Sequence, residues 1–301
     1  MTGWSSALAD LATKRAEALA SRLPPLLVAA ERVAATVAQG VHGRRRVGQG
    51  DSFWQFRRFV TGDPMNRVDW RQSAKSGQPA PGGWFVRETE WEAAQTVCLW
   101  RDSSPSMHWR RGGTTEKIER ASLLTLALAA LLLRAGERVL PMFPGARAVA
   151  GRFGLERLAA DLDAGSDDAG LPPDMAIPRH ATVVLMGDFL SPLDDIQATI
   201  GRLAAAPARG YVLQILDPAE AALPYQGRIR FRGLENDGEV LIPRTEAIRD
   251  DYVHALQAQQ AGLAAICAAA GFGFGVHLTD RSPEAALLSL YTALGPARAA
   301  S

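Results

Sequence analysis

Several absences narrow what this chain can be. Of its 301 residues only two are cysteines, Cys98 and Cys267, both in apolar surroundings and far apart in sequence. That excludes a disulfide framework and a thiolate metal site, and it suits a reducing compartment. The five histidines, His42, His108, His180, His254 and His277, show no ligand spacing, which argues against a histidine-built metal or catalytic centre. His277 lies in an apolar strand and reads as a core residue. The formal net charge is only +1, so no global attraction to nucleic acid or membrane is expected. No secretory signal is legible in the first residues. The longest apolar run, Ala121–Leu133, falls short of the ~17–25 residues of a spanning helix and is closed by Arg134 and Gly136. It reads as a buried core helix. A Walker-type glycine–lysine loop is also missing, so the chain is not expected to hydrolyse ATP. Gly48-Gln49-Gly50 lacks the third glycine and the preceding strand of a dinucleotide fingerprint. Gly271, Gly273 and Gly275 lead into a strand, the wrong order for phosphate binding at a helix start.

What is present suits a globular protein, 47% apolar, long enough for one large or two modest domains. Residues 5–39 are Ala- and Leu-rich and read as helices broken at Pro24-Pro25. From Thr96 onward, short apolar strands alternate with helical stretches. The strands are Thr96–Trp100, Arg138–Phe143, Thr182–Met186, Tyr211–Leu216 and Phe274–Leu278; the helices are 115–135, 154–163, 193–205, 245–270 and 283–294. Apolar strands separated by helices predict a mainly parallel sheet covered on both faces. Within 226–242 two alternating runs flank Asn236-Asp237-Gly238, the pattern of a β-hairpin, expected as an insertion or an antiparallel edge.

The first strand of this block exits on Asp102-Ser103-Ser104-Pro105-Ser106, and the third strand ends on Gly187-Asp188. Ligands of open parallel sheets collect beyond the carboxyl ends of strands. Carboxylate and hydroxyl oxygens from two strand ends form the donor set of a hard cation such as Mg²⁺, with Mn²⁺ or Ca²⁺ as alternatives. The bland alternative is that Asp and Ser only cap the turns that follow. Ser104 as a nucleophile has no G-x-S-x-G elbow and no evident base.

Upstream, residues 44–71 hold seven arginines against three aspartates, interleaved with Phe53, Trp54, Phe56, Phe59 and Trp70. Stacking and phosphate contacts would suit single-stranded nucleic acid. The favoured reading is structural: the aromatics form a small core and the arginines pair with Asp51, Asp63, Asp69 and Glu88. Val68-Asp69-Trp70-Arg71 alternates like a strand, with Val68 and Trp70 on one face and Asp69 and Arg71 on the other. Arg and Trp also anchor protein interfaces, which makes Arg57, Arg58, Arg67, Trp70 and Arg71 partner-binding candidates.

Together these stretches carry a family resemblance. The strand exit Asp102-Ser103-Ser104-Pro105-Ser106-Met107 resembles the D-x-S-x-S metal-adhesion motif of von Willebrand factor A domains. Residues 48–77, GQGDSFWQFRRFVTGDPMNRVDWRQSAKSG, are similar to the signature that the DUF58 family places shortly before a von Willebrand A-like domain. The resemblance covers roughly residues 40–290. It implies three parts: an N-terminal helical region at 1–39, the signature segment at 40–93 and a von Willebrand A-like, Rossmann-like α/β domain at 94–296. It also implies that Asp102, Ser104 and Ser106 are metal ligands and that Asp188 acts directly or through water. The family's loop threonine is missing from 164–180, so Asp167 or Asp168 substitutes or the ligand set is incomplete. The implied function is that of a non-enzymatic adaptor, working with a MoxR-type AAA+ ATPase or its client through a metal that accepts a partner carboxylate. A cytoplasmic location without membrane insertion is expected. The rivals are a metal-dependent hydrolase using Asp102 and Asp188, and nucleic-acid binding through 44–71.

Overall fold

The computed structural model describes residues 26–38, 53–61, 63, 65, 68–77, 82–89, 94–111, 115–151, 153–164, 170–205, 209–234 and 238–294. Its contacts group the chain into two compact units, one from residues 42–94 and one joining residues 1–41 to 95–301.

In the smaller unit, β1 (Phe53–Arg58) pairs antiparallel with β2 (Phe85–Thr89), with a register shift between Phe53 and Gln55. The expected alternation at 68–71 is not a strand. Val68 makes a single bridge to Val86, and Trp70–Lys75 is a helix, α2. Asp69 caps it, its Oδ1 accepting from the Gln72 N–H at 2.9 Å. An Asp three residues ahead of a Gln is an N-terminal helix signature, and it outweighs a two-residue alternation. Ser73 explains the serine of the signature: its Oγ donates to the Asp69 carbonyl and accepts from the Phe85 N–H at 2.8 Å, tying α2 to β2. Of the aromatic residues expected to form a small core, Phe59 and Trp70 make edge-on contacts to Trp84 and Phe56 makes one to Phe85, while the Phe53 and Trp54 side chains lie outside the described residues.

The larger unit is a mixed α/β fold. In chain order it contains helix α1 (26–38), β3 (Thr96–Arg101), α3 (Lys117–Arg134), β4 (Arg138–Pro141), α4 (Gly154–Ala164) and β5 (Thr182–Gly187). These are followed by α5 (Leu193–Ala204), β6 (Arg209–Leu216), α6 (Pro218–Ala222), β7 (Ile229–Arg232), β8 (Glu239–Ile242), α7 (Arg249–Ala269), β9 (Phe272–Leu278) and α8 (Pro283–Leu294). Five strands form one parallel sheet in the order β4-β3-β5-β6-β9. The hairpin is present as β7–β8, and its two strands form a sheet of their own, so it is an insertion and not an edge of the main sheet.

Successive side chains of a strand point to opposite faces, which divides the core in two. Val97 and Leu99 of β3, with Val184 and Met186 of β5, pack with α3, α4, α8 and the Ala30–Val33–Ala34–Val37 stripe of α1. Cys98 and Trp100, with Val183 and Leu185, pack with Ile196 and Ile200 of α5 and Leu263 and Cys267 of α7. Both cysteine thiols are free and buried. The run Ala121–Leu133 lies inside α3, and its Leu124, Leu126 and Leu128 are fully buried, each contributing roughly 1.5–3 kcal/mol. Among the described residues no helix is long and apolar enough to cross a membrane. The alternating glycines of β9 make room for one ring: a Cβ at Gly273 would meet Tyr211 Cδ2 at 2.6 Å, and one at Gly275 its hydroxyl at 2.5 Å.

Candidate cation site at the carboxyl edge of the sheet

After β3 the chain steps to β4 on one side of it and then returns to β5 on the other. The order therefore reverses between β3 and β5, and that switch point opens a crevice beyond their carboxyl ends. Asp102 directly follows β3 and Asp188 directly follows β5. The Asp102 N–H donates to the Met186 carbonyl at 2.8 Å, which holds the two exits side by side. Gly187 is required there, since a Cβ would lie 2.8 Å from Asp102 Cβ and 3.2 Å from the Trp100 ring.

The four residues expected at the site come together. Asp102 is fully buried, and its Oδ1 accepts the Ser104 N–H at 2.9 Å. Its Oδ2 is buried and has no partner in good hydrogen-bond geometry among the described residues, although the Ser104 hydroxyl and the Asp188 N–H lie near enough to the carboxylate to counter part of its pKa rise. Burial first, and the Asp188 carboxylate second, push the Asp102 carboxyl up to about 6. The Ser106 hydroxyl donates to Asp188 Oδ2 at 2.6 Å, and the Ser104 and Ser106 hydroxyls are 3.0 Å apart. A hydroxyl has one proton. Ser106 gives its proton to the carboxylate, so the Ser104 proton is the one left for the pair or for the Asp102 carboxylate. Both serine oxygens are then left with lone pairs only, beside an Asp102 oxygen in the same condition. Ser104 is buried while Ser106 is partly open, which leaves an approach from solvent.

The backbone after β5 is held firmly. Phe189 adopts a positive φ of 49° with its ring buried against Trp100. Its carbonyl and that of Ser191 accept from Gln259 Nε2 of α7, and the Asp188 carbonyl accepts from Gln214 Nε2 of β6. The strained residue is thus over-determined by its neighbours, as such residues must be to persist.

Lys117 was not foreseen. It is the first residue of α3, its side chain is 0% exposed, and its Nζ lies 3.0 Å from Asp188 Oδ2 and 2.6 Å from Glu220 Oε1. Burial alone would lower its pKa, but the Asp188 and Glu220 carboxylates outweigh it and raise it, so the group is an ammonium. Glu220 is placed by local sequence logic: Asp217 caps the short helix α6, Pro218 starts it, and Glu220 Oε2 reaches back to the Asp217 N–H at 2.9 Å. Asp102, Asp188 and Glu220 against Lys117 leave a formal charge of −2.

The donor chemistry fits a hard cation of modest size. Two carboxylates and two hydroxyls converge, one carboxylate oxygen is unpartnered, and the 3.0 Å between the serine oxygens matches the ~2.9 Å edge of an octahedron of 2.0–2.1 Å radius. Asp188 Oδ2, however, is already engaged by Lys117 and the Ser106 hydroxyl, so Asp102, Ser104 and Ser106 would be the main metal ligands, with Asp188 adding at most its other oxygen. Among the described residues no three or more Asp, Glu, His or Cys side chains are grouped as a metal would need. Asp167 and Asp168, candidates to replace the loop threonine, lie outside the described residues. Gly170, just after them, comes close to Ser104 and Ser191. Of the partner-binding candidates, Arg58, Trp70 and Arg71 are exposed on the smaller unit, whereas Arg67 and the Arg57 side chain lie outside the described residues.

Residues 55–262 match the family profile described as protein of unknown function DUF58. The uncharacterized proteins Rv1480 of Mycobacterium tuberculosis and Mb1516 of Mycobacterium bovis are each 25% identical over 263 residues, covering 81% of this chain and 80% of theirs. Two solved structures are similar over 66% of this chain and 98% of theirs: an aerotolerance-related membrane protein of Bacteroides fragilis (14% identity, TM-score 0.36) and BatB of Bacteroides thetaiotaomicron (12%, 0.32).

Proposed function

Since the chain belongs to the DUF58 family, whose matched region spans both strand ends of the crevice, we propose that it is a non-enzymatic binding protein that docks partners through a divalent cation. The larger unit, in this reading, is a von Willebrand A-like domain. Asp102, Ser104 and Ser106 hold the ion, and Asp188 orients the Ser106 hydroxyl by accepting its proton. Bound Mg²⁺ would supply an open coordination position for a partner's carboxylate. The single observation in support is a cluster of oxygens with nothing left to donate, Asp102 Oδ2 and the two serine oxygens, buried at Asp102 and Ser104 and partly open at Ser106. If Asp and Ser only fastened the turn, the second carboxylate oxygen would not need to sit buried and unpartnered, which is costly. The partner class carried by the family resemblance is a MoxR-type AAA+ ATPase or its client.

The test is thermal unfolding of the metal-stripped protein with and without Mg²⁺ or Mn²⁺, beside Asp102→Ala. A ligand that binds only the folded state stabilises it by ~2.7 kcal/mol at a hundredfold excess over its Kd. The expected result is a divalent-dependent rise that Asp102→Ala removes. No rise, with Asp102→Ala merely less stable, would reduce the motif to a turn.

A further inference from the structure

We propose that Lys117 sets how tightly this site holds a divalent cation, by keeping the Asp188 carboxylate away from it; the inference rests on the divalent reading above. Asp188 Oδ2 accepts from both the Ser106 hydroxyl and the Lys117 ammonium. A cation taking the same oxygen must displace or crowd a positive group within hydrogen-bond distance of it, in surroundings where charges are poorly screened. The ammonium cannot move aside easily. It stands on the first turn of α3, whose body is the core helix, and Glu220 grips it at 2.6 Å from the other side while being held itself by the Asp217 N–H. Lys117 is therefore a resident cation, in place whether or not an ion is bound.

The consequence concerns the kind of site this is. With Asp188 Oδ2 committed to lysine, the described residues offer an incoming ion one uncommitted carboxylate, Asp102, and two neutral hydroxyls. A divalent ion so held keeps an excess of positive charge and binds weakly by itself, and it favours one further carboxylate in its shell. The lysine thereby favours a complex of ion and acidic partner over the ion alone. Sequestering both strand-end acids on the ion would have the opposite effect.

Two variants separate this role from a merely structural one. Lys117→Gln retains N–H donors for Asp188 and Glu220 but drops the charge. Lys117→Met with Glu220→Gln removes the ammonium and one carboxylate together, so the formal charge of the site stays at −2 and any tighter binding traces to the freed Asp188. The measurement is calorimetric titration of Mn²⁺ into the metal-stripped full chain, wild type and variants, each repeated in an Asp102→Ala background. The expected result is Mn²⁺ binding at least tenfold tighter in both variants than in wild type, and none with Asp102→Ala. Binding only in the variants also supports the proposal, as complete withholding, while removing the divalent reading from the wild-type protein. Wild-type binding that the variants match or weaken overturns the proposal and leaves that reading standing. No binding in any chain overturns both. Should Lys117→Gln fail to fold, the charge-balanced double variant decides alone.

Discussion

Asp102→Asn should stabilise the metal-free protein, the reverse of what replacing a turn-fastening residue does. The native carboxyl is raised from 3.8 to about 6, mainly by burial. A raised acid pKa means the folded state holds its proton to higher pH than the unfolded chain. The group's favourable contribution is thus complete below about pH 4 and lost as pH rises through 6. At pH 7 both states are ionised and the folded one carries the whole penalty, about 3 kcal/mol for a shift of roughly two units. Asparagine removes the charge while its amide oxygen can still accept the Ser104 N–H. The assay is urea unfolding in EDTA at pH 7 and near pH 4. Asp102→Asn should be more stable by up to about 3 kcal/mol at pH 7, with the gain vanishing near pH 4. Saturating Mg²⁺ should return the advantage to wild type. A variant less stable at pH 7, by the ~0.5–2 kcal/mol of a lost cap, would refute the reasoning and make the ionised carboxylate a structural asset.

Other outcomes follow from single contacts. Gly187→Ala pushes a methyl to 2.8 Å from Asp102 Cβ; it should cost about 1–3 kcal/mol in urea unfolding and abolish Mn²⁺ binding. Ser73→Ala removes the acceptor of the Phe85 N–H and should destabilise the smaller unit by about 1–3 kcal/mol, followed by tryptophan fluorescence. His277 is buried, and burial first and the Arg120 guanidinium second lower its pKa to about 4. The unfolded chain then takes up a proton near pH 6.5 that the folded one refuses, so stability falls by about 3 kcal/mol between pH 6.5 and 4. Asp102 acts in the opposite direction over part of that range, so the slope is best measured in Asp102→Asn; a flat profile there would contradict the assignment.

The sheet was legible because its strands are short and apolar throughout while its helices, α3 excepted, carry polar faces, a contrast that follows directly from burial on two faces. Asp102 and Asp188 were legible for a related reason: polar residues that end apolar strands must lie at the sheet's edge. Lys117 was not legible. A lysine at the start of a helix reads as solvent-facing, and only the fold brings it to Asp188 and Glu220, 71 and 103 residues away. One local sign existed, the Asp217–Pro218–Ala219–Glu220 capping pattern, which aims a glutamate at a helix start. At 68–71 the misreading had a local cause, because four residues of alternation carry less information than the Asp69–Gln72 cap beside them.

Helix α3 carries two burdens at once. Its leucines fill the volume beneath the sheet, and its first residue supplies the positive charge at the sheet's edge. A rigid rod transmits displacement along its length, so a core substitution that shifts the rod by a few tenths of an ångström also alters the spacing of lysine and carboxylate at its tip. Packing in the interior and the geometry of the edge are therefore not separable in this protein. Leu124 and Leu128, about two and three turns along α3 from Lys117, thereby influence what happens at Asp188.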